Sequence, residues 1–559
     1  MSYKKYTCAD RCQANNGTAD TNMSERILNL LDGLPLAIAQ AGAYLQESGV
    51  GLKAYLNLYE QEWSELMVDE LADAPLQDYP DRSVWMTWAT SYQAIRKKHE
   101  STANLLLLWS FLDNKDLWYG LLAAACKAST VVARMLSEWI GNVASSQLAF
   151  NQAMRLLRSY SLLDEVEEAT SYATHPVVHR WAYHSQGKHF ASKLGQLAVA
   201  VVGWAVPDNS TDDWPAVQRR LLPHAQAVAW WMVHDDDYFH SGEEREAILH
   251  ATHLLGNLYA DQGKLTEAEY MYERALRGYE KALGPNHTST LQTVNNLGAL
   301  YAGQGKLVEA ENMYQRALHG YEKAWGLEHT STLDTVNNLG ALYADLGRLD
   351  EAEHIYKRAL RGYEKALGPN HTSTLQTVNN LGALYAGQGK LVEAEHMYQR
   401  ALQGYDKALG PNHTSKLQTF NNLGLLYADQ GKFAEAQMMF ELALRGYERA
   451  LGDELVQQHQ PALDTMENMG HLYADQGEYI KARAIYSKAL LGFQGLLGQS
   501  NNRCRQLASN IEKLLVPQAS REEHIQRLAM QEVTSSQEPK EGWKLGVRQR
   551  VKKILRQQQ

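Results

Sequence analysis

What this 559-residue chain has little of narrows it first. It holds four cysteines, Cys8, Cys12, Cys126 and Cys504, whose scatter forms neither a metal-ligand set nor a disulfide framework. No run approaches the roughly 18 apolar residues of a membrane-spanning helix, and the opening MSYKKYTCADRCQ lacks the apolar stretch of a secretory signal. A formal net charge of −10 leaves no electrostatic footprint for nucleic acid across the whole chain. No G-x-x-x-x-G-K-[ST] occurs, so there is no loop of backbone amides for phosphates and no Ser/Thr for Mg²⁺. The Gly-Lys pairs at Gly263, Gly305, Gly389 and Gly431 are each followed by Leu or Phe. A hydrophobic strand ending in Asp-Asp and a G-x-S-x-G nucleophile turn are missing too. These absences lead us to expect a reduced, cytoplasmic, non-catalytic protein.

What is present is repetition. Thr288–His329 and Thr372–His413 differ at six positions and Thr330–His371 is nearly as close, so one block recurs every 42 residues. Leu-Gly anchors return at Leu255-Gly256, Leu297-Gly298, Leu339-Gly340, Leu381-Gly382 and Leu423-Gly424, and a sixth, Met469-Gly470, arrives four residues late. A fixed period of this length marks a solenoid whose units bury their apolar faces against neighbours. Leu297, Leu300 and Tyr301 follow helical spacing beside Gly298, and Gly303–Lys306 ends that helix. Leu307, Ala310, Met313, Tyr314, Ala317, Leu318 and Tyr321 mark a second helix. Leu-Gly-Pro-Asn-His, as at Leu283–His287, stops each unit. Two helices and their turns fill the period, so the fold class is mainly α.

These anchors resemble the tetratricopeptide repeat. Leu297, Gly298, Tyr301, Ala310, Tyr314 and Ala317 stand where that motif has Leu, Gly, Tyr, Ala, Phe/Tyr and Ala. The wording NNLGALYA…YQRAL…YEKALGPNHTSTL is similar to the kinesin-light-chain subtype. The resemblance spans residues 247–497 and implies a right-handed superhelical solenoid whose first helices line a groove for an extended peptide or a partner helix. At about 100° per residue, Gln292, Asn295, Asn296, Ala299 and Gly303 lie away from the Leu297/Tyr301 face. The asparagine pair returns as Asn337-Asn338, Asn379-Asn380 and Asn421-Asn422, and Gln376 repeats Gln292. Amides both donate and accept, so such a row can pair with a ligand backbone without reading its sequence. The other reading is that the amides cap turns or satisfy helix packing. The end units depart from the row, with His253-Leu254 and Glu467-Asn468. Among the groove helices Lys416 stands nearly alone as a cation, which argues against a clamp for a terminal carboxylate.

The part before the repeats carries a second resemblance. Ser24–Leu31 followed by Asp32-Gly-Leu-Pro-Leu-Ala-Ile-Ala-Gln-Ala-Gly-Ala-Tyr-Leu45 reads as helix, break, helix, and resembles the GLPLA element of NB-ARC ATPases, the switch modules of plant and fungal NOD-like receptors. Leu156–Leu163, leading into Tyr172-Ala-Thr-His-Pro-Val-Val-His-Arg-Trp181, is similar to the end of that family's winged-helix subdomain. Its MHD motif falls on Thr174-His175-Pro176, where only the histidine matches. The resemblance implies Pro35 near an adenine and His175 at the β-phosphate of ADP. His175, His179 and His184 lack the Cys or carboxylate partners of a metal site. Because no P-loop is present, the expected cofactor set is none; ADP or ATP enters only with an upstream P-loop domain.

The domain reading is then 1–23 disordered, 24–75 the GLPLA segment, 83–185 winged-helix-like, 188–246 a helical spacer that includes Trp214–His224, 247–497 six repeats, 498–531 a capping-helix region, and 532–559 a linker and tail. The tail Trp543–Arg556 carries six basic residues beside Trp543, Leu545, Val547, Val551, Ile554 and Leu555, a pattern able to lie on an anionic membrane or dock a partner. The expected function is a protein-interaction scaffold, the sensor or adaptor part of a NOD-like-receptor-type protein, with a protein or peptide in the groove and no nucleic acid. One alternative is a cargo adaptor resembling kinesin light chain, although no a/d heptads precede Ala247. The other is a fragment of a nucleotide-switched STAND NTPase.

Overall fold

The computed structural model describes residues 23–514 apart from 29–30, 32–34, 60–81, 167–170, 187, 208–213, 235–241, 410–412, 458 and 500. Cys8, Cys12, the linker and the basic tail lie outside the described residues. The chain divides into two units, Met1–Thr293 and Val294–Gln559.

The first unit runs α1 (Pro35–Ser48), α2 (Arg82–Lys98), α3 (Glu100–Trp109), α4 (Tyr119–Ala128), α5 (Thr130–Ile140) and α6 (Gln147–Ser159), then a hairpin of β1 (Asp164–Glu165) and β2 (Tyr172–Ala173). The strands pair antiparallel, Asp164 opposite Ala173 and Glu165 opposite Tyr172, and Leu117 bridges to Tyr172 from the other side. This region is thus helices followed by a small two-stranded hairpin. Ser129 and Ser146 start α5 and α6 by accepting the Val132 and Ala149 amides, the usual office of a serine N-cap. Trp109, Phe150, Leu157 and Tyr160 are buried at its centre.

Then come α7 (Pro176–His184), α8 (Lys188–Trp204), α9 (Trp214–His234), α10 (Gly242–Asp261) and α11 (Leu265–Ala282). The spacer α9 is pinned by charge and by a histidine. Arg220 holds Asp116 with two bonds of 2.6 and 2.7 Å while its guanidinium lies 3.9 Å from the Trp118 ring. His224 accepts the Asp113 amide at 3.1 Å and donates to the Asp116 carbonyl at 2.8 Å. Such planar, two-bond pairing is the geometry that favours arginine over lysine.

The repeats continue through α12 (Thr288–Gly303), α13 (Leu307–Trp325), α14 (Thr330–Asp345), α15 (Leu349–Ala366), α16 (Thr372–Gly387), α17 (Leu391–Ala408), α18 (Thr414–Asp429), α19 (Phe433–Val456), α20 (Gln460–Asp475), α21 (Tyr479–Leu497) and α22 (Asn502–Lys513). Within a repeat the two helices meet through reciprocal glycines. A Cβ on Gly340 of α14 would stand 2.8 Å from the Tyr356 ring of α15, and one on Gly362 of α15 would stand 2.4 Å from a Leu333 methyl of α14. Each glycine therefore makes a hole for the other helix's side chain, and both Tyr356 and Leu333 are buried. The same pairs return as Gly382 with Tyr398, Gly404 with Leu375, Gly424 with Phe440, and Gly446 with Leu417.

Two details depart from the sequence reading. The histidines at the unit boundaries, His329, His371 and His413, are N-caps: each Nδ1 accepts the amide of the serine two residues on. The four extra residues before the sixth repeat are absorbed where α19 runs on through Gly452, whose φ of 75° breaks the helical path.

The glycine contacts yield a first prediction. Gly340→Ala should destabilise the second unit by about 1–3 kcal/mol in urea unfolding, because a fully buried ring cannot retreat. Gly303→Ala, with nothing within 4 Å of the added carbon, should be neutral or slightly stabilising. Equal effects at the two sites would contradict this packing account.

Candidate functional site

The asparagine pairs do form a row along the first helices, and they bond to one another. The second asparagine of each pair donates to the first asparagine of the preceding repeat: Asn338 to Asn295 and Asn380 to Asn337 at 3.4 Å, and Asn422 to Asn379 at 3.3 Å. Asn468 extends the chain to Asn421 at 2.9 Å, and Thr377 also donates to Asn337 at 3.2 Å. Asn379, Asn380, Asn421 and Asn422 are at most 5% exposed. Expecting all eight amides to face a ligand therefore needs revision: the two pairs of the fourth and fifth repeats are closed inside the packing against the neighbouring first helices.

What the face offers to solvent is narrower. Asn295, Asn296, Asn337 and Asn338 are half-buried, Gln376 likewise, Gln292 is exposed, and Asp334 is exposed while accepting the Tyr363 hydroxyl. The first helices hold more acids than bases, and Asp345, Asp464 and Glu467 among them are buried. Helices α14, α16, α18 and α20 carry Asp334, Asp345, Asp429, Asp464, Glu467 and Asp475 against the single cation Lys416. Lys416 is buried and paired with Asp406.

A second ladder, which the sequence reading treated only as turns, ties up the cations at the tips of the helix pairs. Arg348 stands 4.1 Å over the Tyr343 ring and bonds Glu311 of the preceding repeat at 2.9 Å. Lys390 does the same with Tyr385 at 5.3 Å and Glu353 at 3.0 Å. Lys357, then Lys390 and Gln388, hold the Glu353 carboxyl down to about 2 despite the opposing effect of burial. The signal is legible in the second to fifth repeats as a basic residue after the turn glycine with a glutamate 37 residues before it, as Glu311 stands to Arg348 and Glu353 to Lys390.

At the start of the array the row is replaced by histidines. His253 sits at the station of the first asparagine, fully buried, 3.0 Å from the Thr293 hydroxyl and stacked on His250 at 6.0 Å between ring centres.

The two residues that the resemblance ties to a nucleotide both stand at the N-terminal ends of helices. Pro35 opens α1, its side chain outside the described residues. His175 is the exposed N-cap of α7, its Nδ1 accepting the Val177 amide at 3.3 Å. His175 thus caps a helix through Nδ1. His179 is likewise structural, its Nε2 shared between the Trp109 and Leu112 carbonyls at 3.0 Å. Among the described residues no group of three or more His, Cys, Asp or Glu could hold a metal, and no helix is long and apolar enough to cross a membrane.

A tetratricopeptide-repeat family model matches residues 246–323, 331–407 and 374–449, and a second such model matches residues 462–502. The repeat array is a tetratricopeptide-repeat array. The chain is similar to a nucleotide-binding leucine-rich repeat (NLR)-like protein of Hyaloscypha variabilis, 28% identical over 284 residues, which is 49% of this chain and 26% of that relative. The chain thus spans about a quarter of the relative's length. Among solved structures, a putative kinesin light chain of Podosopora anserina with nearly identical repeats is 24% identical, covering 37% of this chain and 97% of that one at a TM-score of 0.32. A STAND protein with a tetratricopeptide repeat sensor from Pyrococcus horikoshii is 13% identical, covering 85% of this chain and 62% of that one at a TM-score of 0.43.

Two predictions follow from the ends and the middle of the row. Asn379→Ala, which leaves the buried Asn422 amide without its acceptor, should cost about 1–2 kcal/mol in unfolding rather than leave stability untouched; an unchanged midpoint would put the amide chain out of the packing. Burial, with His250 adding to it, holds the His253 imidazole down to about 3, below its ordinary 6.5. Protonation then favours the unfolded chain, so this stability is intact above pH ~6.5 and is lost as pH falls below it. From pH 7 to 5 urea unfolding should lose about 2 kcal/mol through this group, and His253→Asn should remove that loss; an undiminished slope in the variant would contradict the assignment.

Proposed function

We propose that this chain works by non-catalytic binding of a protein or peptide segment along the first helices of its repeats, as the sensor or adaptor part of a NOD-like-receptor-type protein. The observation that carries this reading is the row itself. Identical small and amide residues recur on successive first helices, the asparagines bonded from repeat to repeat, with Asn337, Asn338 and Gln376 half-buried and Asp334 exposed along the same helices. A row so bonded is rigid, and a rigid row of donors and acceptors costs a ligand little reorganisation. None of these four positions is a cation, so the ligand is held through backbone amides, apolar contacts and its own positive charges rather than through a terminal carboxylate. A cargo adaptor of the kinesin-light-chain type would use the same face. This chain's described part needs no cofactor for such binding.

The experiment is selection of a displayed peptide library on the whole chain, followed by affinity measurement with variants. Asp334→Ala combined with Gln376→Ala should weaken a selected peptide about tenfold, roughly 1.4 kcal/mol. Val392→Asp, at a 79% exposed position on the start of a second helix, should leave it unchanged. Loss in the Val392 variant alone would move the binding face to the second helices.

A further inference from the structure

The sixth repeat breaks the amide pattern in a specific way. The stations that hold Gln376 and Asn379 in the fourth repeat, and Gln418 and Asn421 in the fifth, hold Asp464 and Glu467 in the sixth. Asp464 is 1% exposed and Glu467 is buried as well. Two carboxylates in so dry a place repel each other and require a cation. That cation is Arg503, from outside the repeats, in the first turn of α22. Its guanidinium bonds both Asp464 and Glu467, with the Nε contact to Glu467 at 3.0 Å, and lies 3.9 Å over the Phe493 ring. Two carboxylates along the edge and an aromatic ring on the face make a complete receptor for a planar cation. Glu467 also has His471 3.8 Å away, which in turn stands 2.7 Å from the Tyr486 hydroxyl.

The element that brings Arg503 is lightly anchored. In α22 only Cys504 and Leu507 are fully buried, with Ile511 and the C-cap Leu514 partly so, whereas first helices such as α14 bury an apolar stripe along their whole length. The receptor is more deeply built than the helix that fills it.

We propose that the sixth repeat is a guanidinium-binding subsite at the end of the first-helix face, with Arg503 as its resident occupant, and that an arginine of a basic partner segment enters it by displacing α22. The displacement rests on the reading of that face as the binding surface; the subsite does not. The test uses the full chain with Arg503→Ala. Hydrogen exchange of residues 502–513 should rise about tenfold, and millimolar ethylguanidinium should restore protection where ethylammonium, lacking the planar fork, restores little. The triple variant Asp464→Asn, Glu467→Gln, Arg503→Ala should show no such restoration. Absence of rescue, or equal rescue in the triple variant, would overturn the subsite without touching the groove reading. Should Arg503→Ala fail to fold, Arg503→Lys keeps the charge and should show a smaller gain with the same cation. For displacement, a peptide of residues 501–514 should bind Arg503→Ala at least about tenfold more tightly than the intact chain, and its arginine-to-alanine form at the Arg503 position should not bind; equal affinity for both chains would overturn the displacement.

Discussion

The structure of the array depends on two helices approaching closer than side chains ordinarily permit. Gly298, Gly340, Gly382, Gly424 and Gly470 leave room for the ring of Tyr314, Tyr356, Tyr398, Phe440 or Tyr486, and the second helix returns the accommodation with Gly362, Gly404, Gly446 and Gly492. Because the contact is reciprocal, neither helix can slide or rotate without driving a Cα hydrogen face into a ring or a leucine. Interiors packed to crystal-like density transmit such constraints rather than absorb them. The orientation of each first helix, and hence which residues face its neighbour and which face outward, follows from this one contact.

Once the first helices are so oriented, their asparagines meet across repeats at hydrogen-bond distance, and the turn cations reach the glutamates of the repeat before. The pairing adapts where the sequence drifts. Arg358 and Arg400 reach back to Glu322 and Glu364, but the same station in the fifth repeat is Leu442, and there Asp406 takes Lys416 instead. The charge is matched by a residue that elsewhere is a threonine bonding the turn carbonyl, as Thr332 and Thr374 do. Arg503 performs the same office at the end of the array. Cations are thus paired within and between the repeats.

Much of this was legible in the residues. The 42-residue spacing, the Leu-Gly anchors and the turn glycines fixed two helices per unit because each rests on a local rule of periodicity or backbone freedom. The asparagines were placed on the correct helices, but their side chains were assigned outward because a helical wheel knows nothing of the neighbouring helix 42 residues away. The histidine N-caps carry no clear sequence signal, because His329, His371 and His413 sit within Asn-His-Thr or Glu-His-Thr, where Ser or Thr is the usual capping residue. The role of Arg503 could not be read at all, since nothing in the spacing links it to Asp464. In the first unit, the GLPLA and His-Pro segments were recognisable as words, yet His175 serves as a helix cap.

The central claim is that partners are read by the first helices. A photo-crosslinking amino acid placed at Gln376, and separately at Val392, tests it in the intact chain with a selected peptide ligand. The account predicts a crosslinked adduct from position 376 and none from position 392. An adduct from 392 with none from 376 would contradict it.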